Sequence, residues 1–169
     1  MFTVNIALMK RMGHLWKPIF GVVHAPVNRT TWFGGVDVPA TKITDAETSE
    51  ISVKKQTSTQ PRLVASGSHR AERDEKFARE LGDHELVRMG SSLKACIVAE
   101  GSADLYPRFG PTSCWDIAAA HAVVEAAGGF VLSPQCEPLV YDLVDEVLNP
   151  YFLVTCSSKW NDIWAQNQD

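Results

Sequence analysis

No run of about 18 uninterrupted apolar residues occurs in the 169-residue sequence, which leaves no candidate for a membrane-spanning helix. Nor does a basic and then apolar stretch follow Met1, so no secretory leader is read and a cytoplasmic location is expected. Basic residues are also short, with 16 Lys and Arg against 20 Asp and Glu and a formal net charge of -4. Proteins that follow a nucleic-acid backbone carry the opposite balance, so no nucleic-acid polymer is expected as a partner. A small anion stays compatible, because a local cluster of donors can oppose the global sign. Cysteine is sparse and scattered. Cys96, Cys114, Cys136 and Cys156 form no Cys-x-x-Cys pair, which argues against a zinc centre and for reduced, buried thiols. Internal repeats and low-complexity tracts are absent as well.

What is present is a globular composition, 45% hydrophobic and 21% charged, enough for one substantial core or a core and part of a second. Phe2, Val4, Ile6 and Leu8 alternate with Thr3 and Asn5, the period-two pattern of a strand with one apolar face. A turn at 11–14 leads to a strand over 18–24, another over 30–33 ending at Gly34-Gly35, and a fourth over 51–54, so the opening reads as an antiparallel meander. Residues 38–50 mix Pro, Thr, Asp and Ser with few large apolar residues and are given no element. The polar stretch 55–61 marks a boundary, with 1–55 as part of an antiparallel sheet domain and 56–169 as a C-terminal α/β domain. From Arg62 onward strands (63–65, 85–89, 103–109, 130–132, 151–155) alternate with helices (71–81, 92–100, 117–127, 159–165). The expected fold class is layered α/β.

The run Gly110-Pro111-Thr112-Ser113-Cys114-Trp115-Asp116 precedes a helix of small residues that Gly128 stops. It sets Asp116 at a helix start beside a tight turn, where a carboxylate caps free N–H groups and gains about 1 kcal/mol from the positive helix end. One carboxylate is a poor divalent site, since Mg2+ takes one or two together with waters and phosphate oxygens. The residues alone leave capping and metal binding open.

Gly90-Ser91-Ser92-Leu93-Lys94 is a second candidate, in which a strand runs into Gly and two hydroxyls at a helix start. With Lys94 about one turn in, it suits a phosphate, and equally an ordinary serine cap with a solvated lysine. Ser66-Gly67-Ser68-His69 also ends a strand ahead of a charged helix and reads as a cap with an exposed histidine. Arg108 lies in a strand near the Asp116 turn, where its guanidinium can hold a phosphate by paired hydrogen bonds or make an inter-sheet salt bridge. His121 lies about 140° round the helix from Asp116 and reads as a packed or surface residue rather than a shared metal ligand. Trp16, Trp32, Trp160 and Trp164 read as packing residues, as does Trp115, which would anchor the turn carrying Asp116.

These segments, with Cys96-Ile97-Val98-Ala99-Glu100-Gly101, the stretch 104–109 and Glu125-Ala126-Ala127-Gly128-Gly129, resemble the inositol monophosphatase superfamily. Within it they resemble the CysQ-type 3'(2'),5'-bisphosphate nucleotidases. The opening 2–8 and the segment 17–27 read like the same family, so the resemblance covers nearly the whole chain. It implies the sugar-phosphatase fold, part of an antiparallel sheet domain followed by an α/β domain. It also implies Mg2+-dependent phosphomonoester hydrolysis with adenosine 3',5'-bisphosphate as substrate, a reaction of sulfate assimilation. By the same resemblance Asp116 holds a Mg2+ ion, Ser91, Ser92 and Lys94 contact substrate phosphate, and Ser66, Ser68 and His69 lie near the nucleotide. Arg108 stands where an inositol monophosphatase has Glu, suited to a sugar hydroxyl, so a bisphosphorylated nucleotide is favoured over an inositol or sugar phosphate.

Members of the family carry an Asp-Pro-Leu-Asp-Gly-Thr motif ahead of the strand matching 2–8, and a Glu-Glu pair before it, which supply most metal ligands. Neither occurs here. The expectation is a substrate-reading part whose catalysis is weak or absent. The alternative is a non-catalytic nucleotide-binding protein, or one that engages a partner or a copy of itself through an exposed sheet edge.

Overall fold

The computed structural model describes residues 2–56, 59–66 and 72–168. Within them two five-stranded sheets enclose a helical layer. The first sheet is an antiparallel meander of β1 (Val4–Met12), β2 (Leu15–Ala25), β3 (Thr30–Gly35), β4 (Val38–Ile43) and β5 (Thr48–Glu50), in that order. The second takes β6 (Arg62–Ala65), β7 (Glu85–Arg88), β8 (Leu105–Arg108), β9 (Phe130–Leu132) and β10 (Phe152–Thr155) in the order β7-β6-β8-β10-β9. In it β6 runs parallel to β7 and β8, while β10 is antiparallel to β8 and β9. The helices are α1 (Glu72–Leu81), α2 (Leu93–Ala99), α3 (Cys114–Ala126) and α4 (Asn161–Gln166). This is the layered α/β class, an antiparallel sheet followed by a mixed one.

Four local expectations are corrected. Residues 38–50 form β4 and β5, and the polar cluster between them is a hairpin turn. There the Thr44 N–H donates to Glu47 O at 2.8 Å, and the Glu47 N–H donates to Thr44 Oγ1 at 3.1 Å. Residues 51–54 are not a strand, because the Val53 N–H donates to Ala127 O at the end of α3 (3.0 Å) and carries the chain across to the second sheet. In β1 the alternation is real but faces the other way. Val4, Ile6 and Leu8 are 48, 65 and 57% exposed, whereas Asn5, Ala7 and Met9 border the groove against α3. Trp115, expected to pack, is 62% exposed, because β1 beside it is the sheet edge and no described element stands beyond it.

α3 is rich in alanine for a steric reason. It packs against β1 to β4 of the first sheet and against α2 and β9, so large side chains have no room. A Cβ on Gly21 would lie 2.0 Å from Ala119 O, and one on Gly34 would lie 2.9 Å from Ala126 Cβ. α2 is buried along its whole length, Lys94 included, as a helix enclosed on all sides must be. Beside the second sheet, Phe77 of α1 and Trp164 of α4 both stack on Phe109, with ring centroids 6.0 and 5.1 Å away.

The segment after β9 straps back over α3. Tyr141 exchanges backbone hydrogen bonds with Trp16 (2.8 and 2.9 Å), and its hydroxyl meets Nδ1 of the fully buried His121 at 2.8 Å. Glu125 Oε1 lies 3.3 Å from His121 Nε2 and 3.1 Å from Lys17 Nζ. His121 is thus a packed residue.

Two stability outcomes follow from this packing. Gly21→Ala must displace the α3 backbone and is expected to cost about 3 kcal/mol. Gly90→Ala meets nothing within 4 Å and should change stability by less than about 1 kcal/mol in urea unfolding. Burial holds the His121 imidazole below its usual pKa, against the pull of Glu125 and with a small push from Lys17. The unfolded chain therefore takes up the proton first, and stability falls as pH drops below about 6.5, by at most about 1.4 kcal/mol per pH unit. Thermal melts from pH 7 to 5 should show this slope in the wild type and a flatter one in His121→Gln.

Candidate anion-binding site

A cleft of about 220 Å³ opens where β1, α2, β8 and the start of α3 converge, lined among others by Asn5, Ser91, Ser92, Lys94, Arg108 and Asp116. Each charged group arrives by a different local rule. Asp116 is the third residue of α3, after the N-cap Ser113, so it occupies the first turn rather than the cap itself. Its Oδ2 accepts the Ser113 N–H at 2.8 Å, which orders the turn and leaves its other oxygen uncommitted to that bond.

Arg108 ends β8 and folds back over the same turn, with Nη2 donating to Pro111 O at 3.2 Å. Gly110 makes room for it, since a Cβ there would lie 3.2 Å from the guanidinium carbon. The Arg108 Nε is buried and has no hydrogen-bond partner among the described residues.

Lys94 is 7% exposed. Its Nζ donates to Ser91 O at 2.8 Å and sits 5.3 Å over the Tyr106 ring, a cation–π contact. Burial, and then the positive charge of Arg108, lower its pKa to about 8, with Asp116 pulling the other way. Two cations therefore face one carboxylate in a chain of net charge -4.

Ser91 adopts a left-handed backbone, φ 56°, at the turn into α2. Its hydroxyl lies 2.6 Å from the Thr3 hydroxyl, which is 2.8 Å from that of Ser92. Ser92 Oγ in turn donates to Asn5 Oδ1 at 2.8 Å. The start of β1 is thereby stitched to the start of α2.

Of the residues singled out in the sequence, Ser91, Ser92, Lys94, Arg108 and Asp116 meet in this cleft. Ser66 follows β6, half-buried, and is not among the lining residues, while Ser68 and His69 lie outside the described residues. Asn5, Tyr106, Thr112 and Phe152 line the cleft without having been singled out. Asn5 and Thr3 were visible in the sequence as the polar partners in the β1 alternation.

The donor set defines what can be held. Two cations and a pair of hydroxyls suit a phosphate. For a divalent cation there is one carboxylate, half committed to the helix cap. Among the described residues no group of three His, Cys, Asp or Glu is placed to hold a metal, so these residues do not by themselves make a Mg2+ site.

Fold and site together define the class: the sequence profile of the Inositol monophosphatase family matches residues 1–162, and the chain belongs to that family. Among its relatives are proteins named 3'(2'),5'-bisphosphate nucleotidase CysQ, from Salmonella typhimurium (42% identical) and Escherichia coli K12 (44% identical). Each similarity runs over 158 residues and covers 91% of this chain and 60% of the relative. The crystal structure of CysQ from Bacteroides thetaiotaomicron matches with a TM-score of 0.78 at 34% identity, covering 92% of this chain and 63% of that one. The Thermotoga maritima IMPase matches at 0.72 with 20% identity, a likeness of fold alone. The chain thus spans about 60% of the length of the curated relatives it matches.

Sulfate keeps one charge state from pH 6 to 9 and so isolates the protein's own titration. Its affinity, followed by NMR titration, should fall as pH rises through about 8, where Lys94 loses its proton. Lys94→Arg should retain the affinity to pH 9, and Lys94→Met should lose about tenfold already at pH 7, the equivalent of about 1.4 kcal/mol.

Proposed function

We propose that this chain is the substrate-reading part of a phosphomonoester hydrolase of the 3'(2'),5'-bisphosphate nucleotidase kind. One phosphate of adenosine 3',5'-bisphosphate is held between Lys94 and Arg108. The observation that carries the reading is the cleft itself, locally positive on an acidic chain, with Lys94 and Arg108 both lining it. A cytoplasmic role in sulfate assimilation accompanies this reading.

The residues act by binding and orientation. Lys94 and Arg108 offset the phosphate charge, and the Arg108 fork, steadied by Pro111 O, fixes its direction. Ser91 and Ser92 offer hydroxyls whose rotors are set by Thr3 and Asn5. The low exposure of Lys94 strengthens its attraction for an anion, because little water screens it. Arg108 also bears on specificity, since it stands where an inositol monophosphatase has Glu, and a cation there suits a phosphate oxygen rather than a sugar hydroxyl.

Asp116 offers a Mg2+ ion one carboxylate oxygen, and the remaining ligands must come from outside the described residues. No hydrolytic step is therefore assigned to this chain acting alone, and its turnover is expected to be weak or absent.

Calorimetry with adenosine 3',5'-bisphosphate should show binding that weakens at least tenfold in Arg108→Met, with inositol 1-phosphate binding more weakly than the nucleotide. Phosphate release in the presence of Mg2+ should stay below about 1 per second, the low end of ordinary enzymes. Turnover within the range of about 1 to 1000 per second would contradict the weak-catalysis claim, and absence of nucleotide binding would contradict the whole reading.

A further inference from the structure

Four side chains at the cleft are joined in one row of hydrogen bonds, from Ser91 to Thr3 (2.6 Å), from Thr3 to Ser92 (2.8 Å) and from Ser92 to Asn5 (2.8 Å). Ser91, Thr3 and Ser92 contribute hydroxyls, and a hydroxyl owns a single hydrogen. The row therefore has a direction, and Asn5 decides it.

As it stands, Ser92 Oγ donates to the Asn5 amide oxygen. Its hydrogen is then spent, so Ser92 accepts at the Thr3 contact and Thr3 donates. Thr3 is spent in turn, and Ser91 must donate to Thr3. Every hydroxyl hydrogen of the row is committed, and Ser91 and Ser92 have only lone pairs for the cleft that both of them line. Lone pairs repel an anion. A sulfate or phosphate dianion carries no hydrogen of its own and requires hydroxyls that donate.

An amide holds an acceptor and a donor at almost the same place. Half a turn about its last bond brings Asn5 Nδ2 to Ser92 in place of Oδ1 with no change of volume. Ser92 then accepts from Asn5 and donates to Thr3, Thr3 donates to Ser91, and the Ser91 hydrogen is released to the cleft.

We infer that Asn5 is a positioning residue that sets the polarity of this row, and that an anion is held with the Asn5 amide turned so that the row runs from Asn5 through Ser92 and Thr3 to Ser91. The inference rests on the reading of the cleft as an anion site and specifies what its hydroxyls must do. The two ends of the row fit that role. Ser92 is 6% exposed, so little water competes for its hydroxyl and the choice made at Asn5 is passed on. Ser91 keeps its side chain at φ 56°, a left-handed backbone that glycine enters more readily. Glycine there would end the row before it reached the cleft.

Aspartate has the shape of asparagine but only acceptors, so Asn5→Asp locks the row with its lone pairs outward. The added charge also repels an anion directly. Thr3→Val cuts the row while keeping its shape and leaves that charge in place, so a double-mutant cycle separates the two contributions.

Sulfate affinity at pH 7, by NMR titration of the wild type, Asn5→Asp, Thr3→Val and the double variant, tests the coupling. Asn5→Asp should weaken sulfate at least about tenfold when Thr3 is present and by about threefold or less in the Thr3→Val background. Neutron diffraction from deuterated wild-type crystals shows the amide itself, and Asn5 Nδ2 should face Ser92 Oγ in the sulfate-bound crystal. Equal weakening by Asn5→Asp in both backgrounds overturns the inference, as does a sulfate-bound crystal in which Oδ1 still faces Ser92. In either case sulfate binding that depends on Lys94 leaves the anion site itself standing. A wild type that binds no sulfate overturns the anion site and the inference together. Should a variant fail to fold, the neutron structure of the wild type decides alone.

Discussion

Helix α3 lies against the first sheet with backbone almost touching backbone. At Gly21 there is no space for even a methyl group before Ala119 O, and the helix answers with alanine at 118, 119, 120 and 122. This contact fixes how far α3 stands from β1 and β2, and so where its first turn projects. The turn carries Asp116, and its lead-in loop carries the Pro111 carbonyl that receives Arg108. The anion cleft is a consequence of that spacing. A helix displaced by one side-chain layer would withdraw Asp116 from Lys94 and Arg108 and open the cleft to solvent.

The cleft reverses the sign of the molecule locally. Lys94 is held charged at neutral pH in a buried position by a carbonyl, an aromatic face and the distant Asp116. Burial of a charge costs free energy unless partners compensate, and the lowered pKa records that the compensation is incomplete. An incoming phosphate supplies the missing partner, so anion binding and relief of the buried charge are one event. This explains how an acidic protein selects an anion without a broad basic surface.

Much of this arrangement was legible in the sequence. The Gly-Pro turn, the small-residue helix and the Gly-Ser-Ser-Leu-Lys step are local signals, and their elements stand where the spacing puts them. The orientation of β1 was not legible. A period-two pattern declares that a strand has two kinds of face, but which face is buried depends on what packs against it, and that partner is α3, more than a hundred residues away. The same non-local dependence hid Thr3 and Asn5, whose hydroxyl and amide become cleft structure only when α2 arrives beside them. β4 and β5 were hidden because an edge hairpin draws its stability from sheet partners and needs few large apolar residues.

The central claim is that a phosphate is held between Lys94 and Arg108 in a cleft built by the α3 contact. A crystal structure of the chain with adenosine 3',5'-bisphosphate at pH 7 tests it most directly. The account predicts one phosphate within hydrogen-bond reach, about 3 Å, of both Lys94 Nζ and the Arg108 guanidinium. A nucleotide bound elsewhere, with the cleft left to solvent, would contradict it.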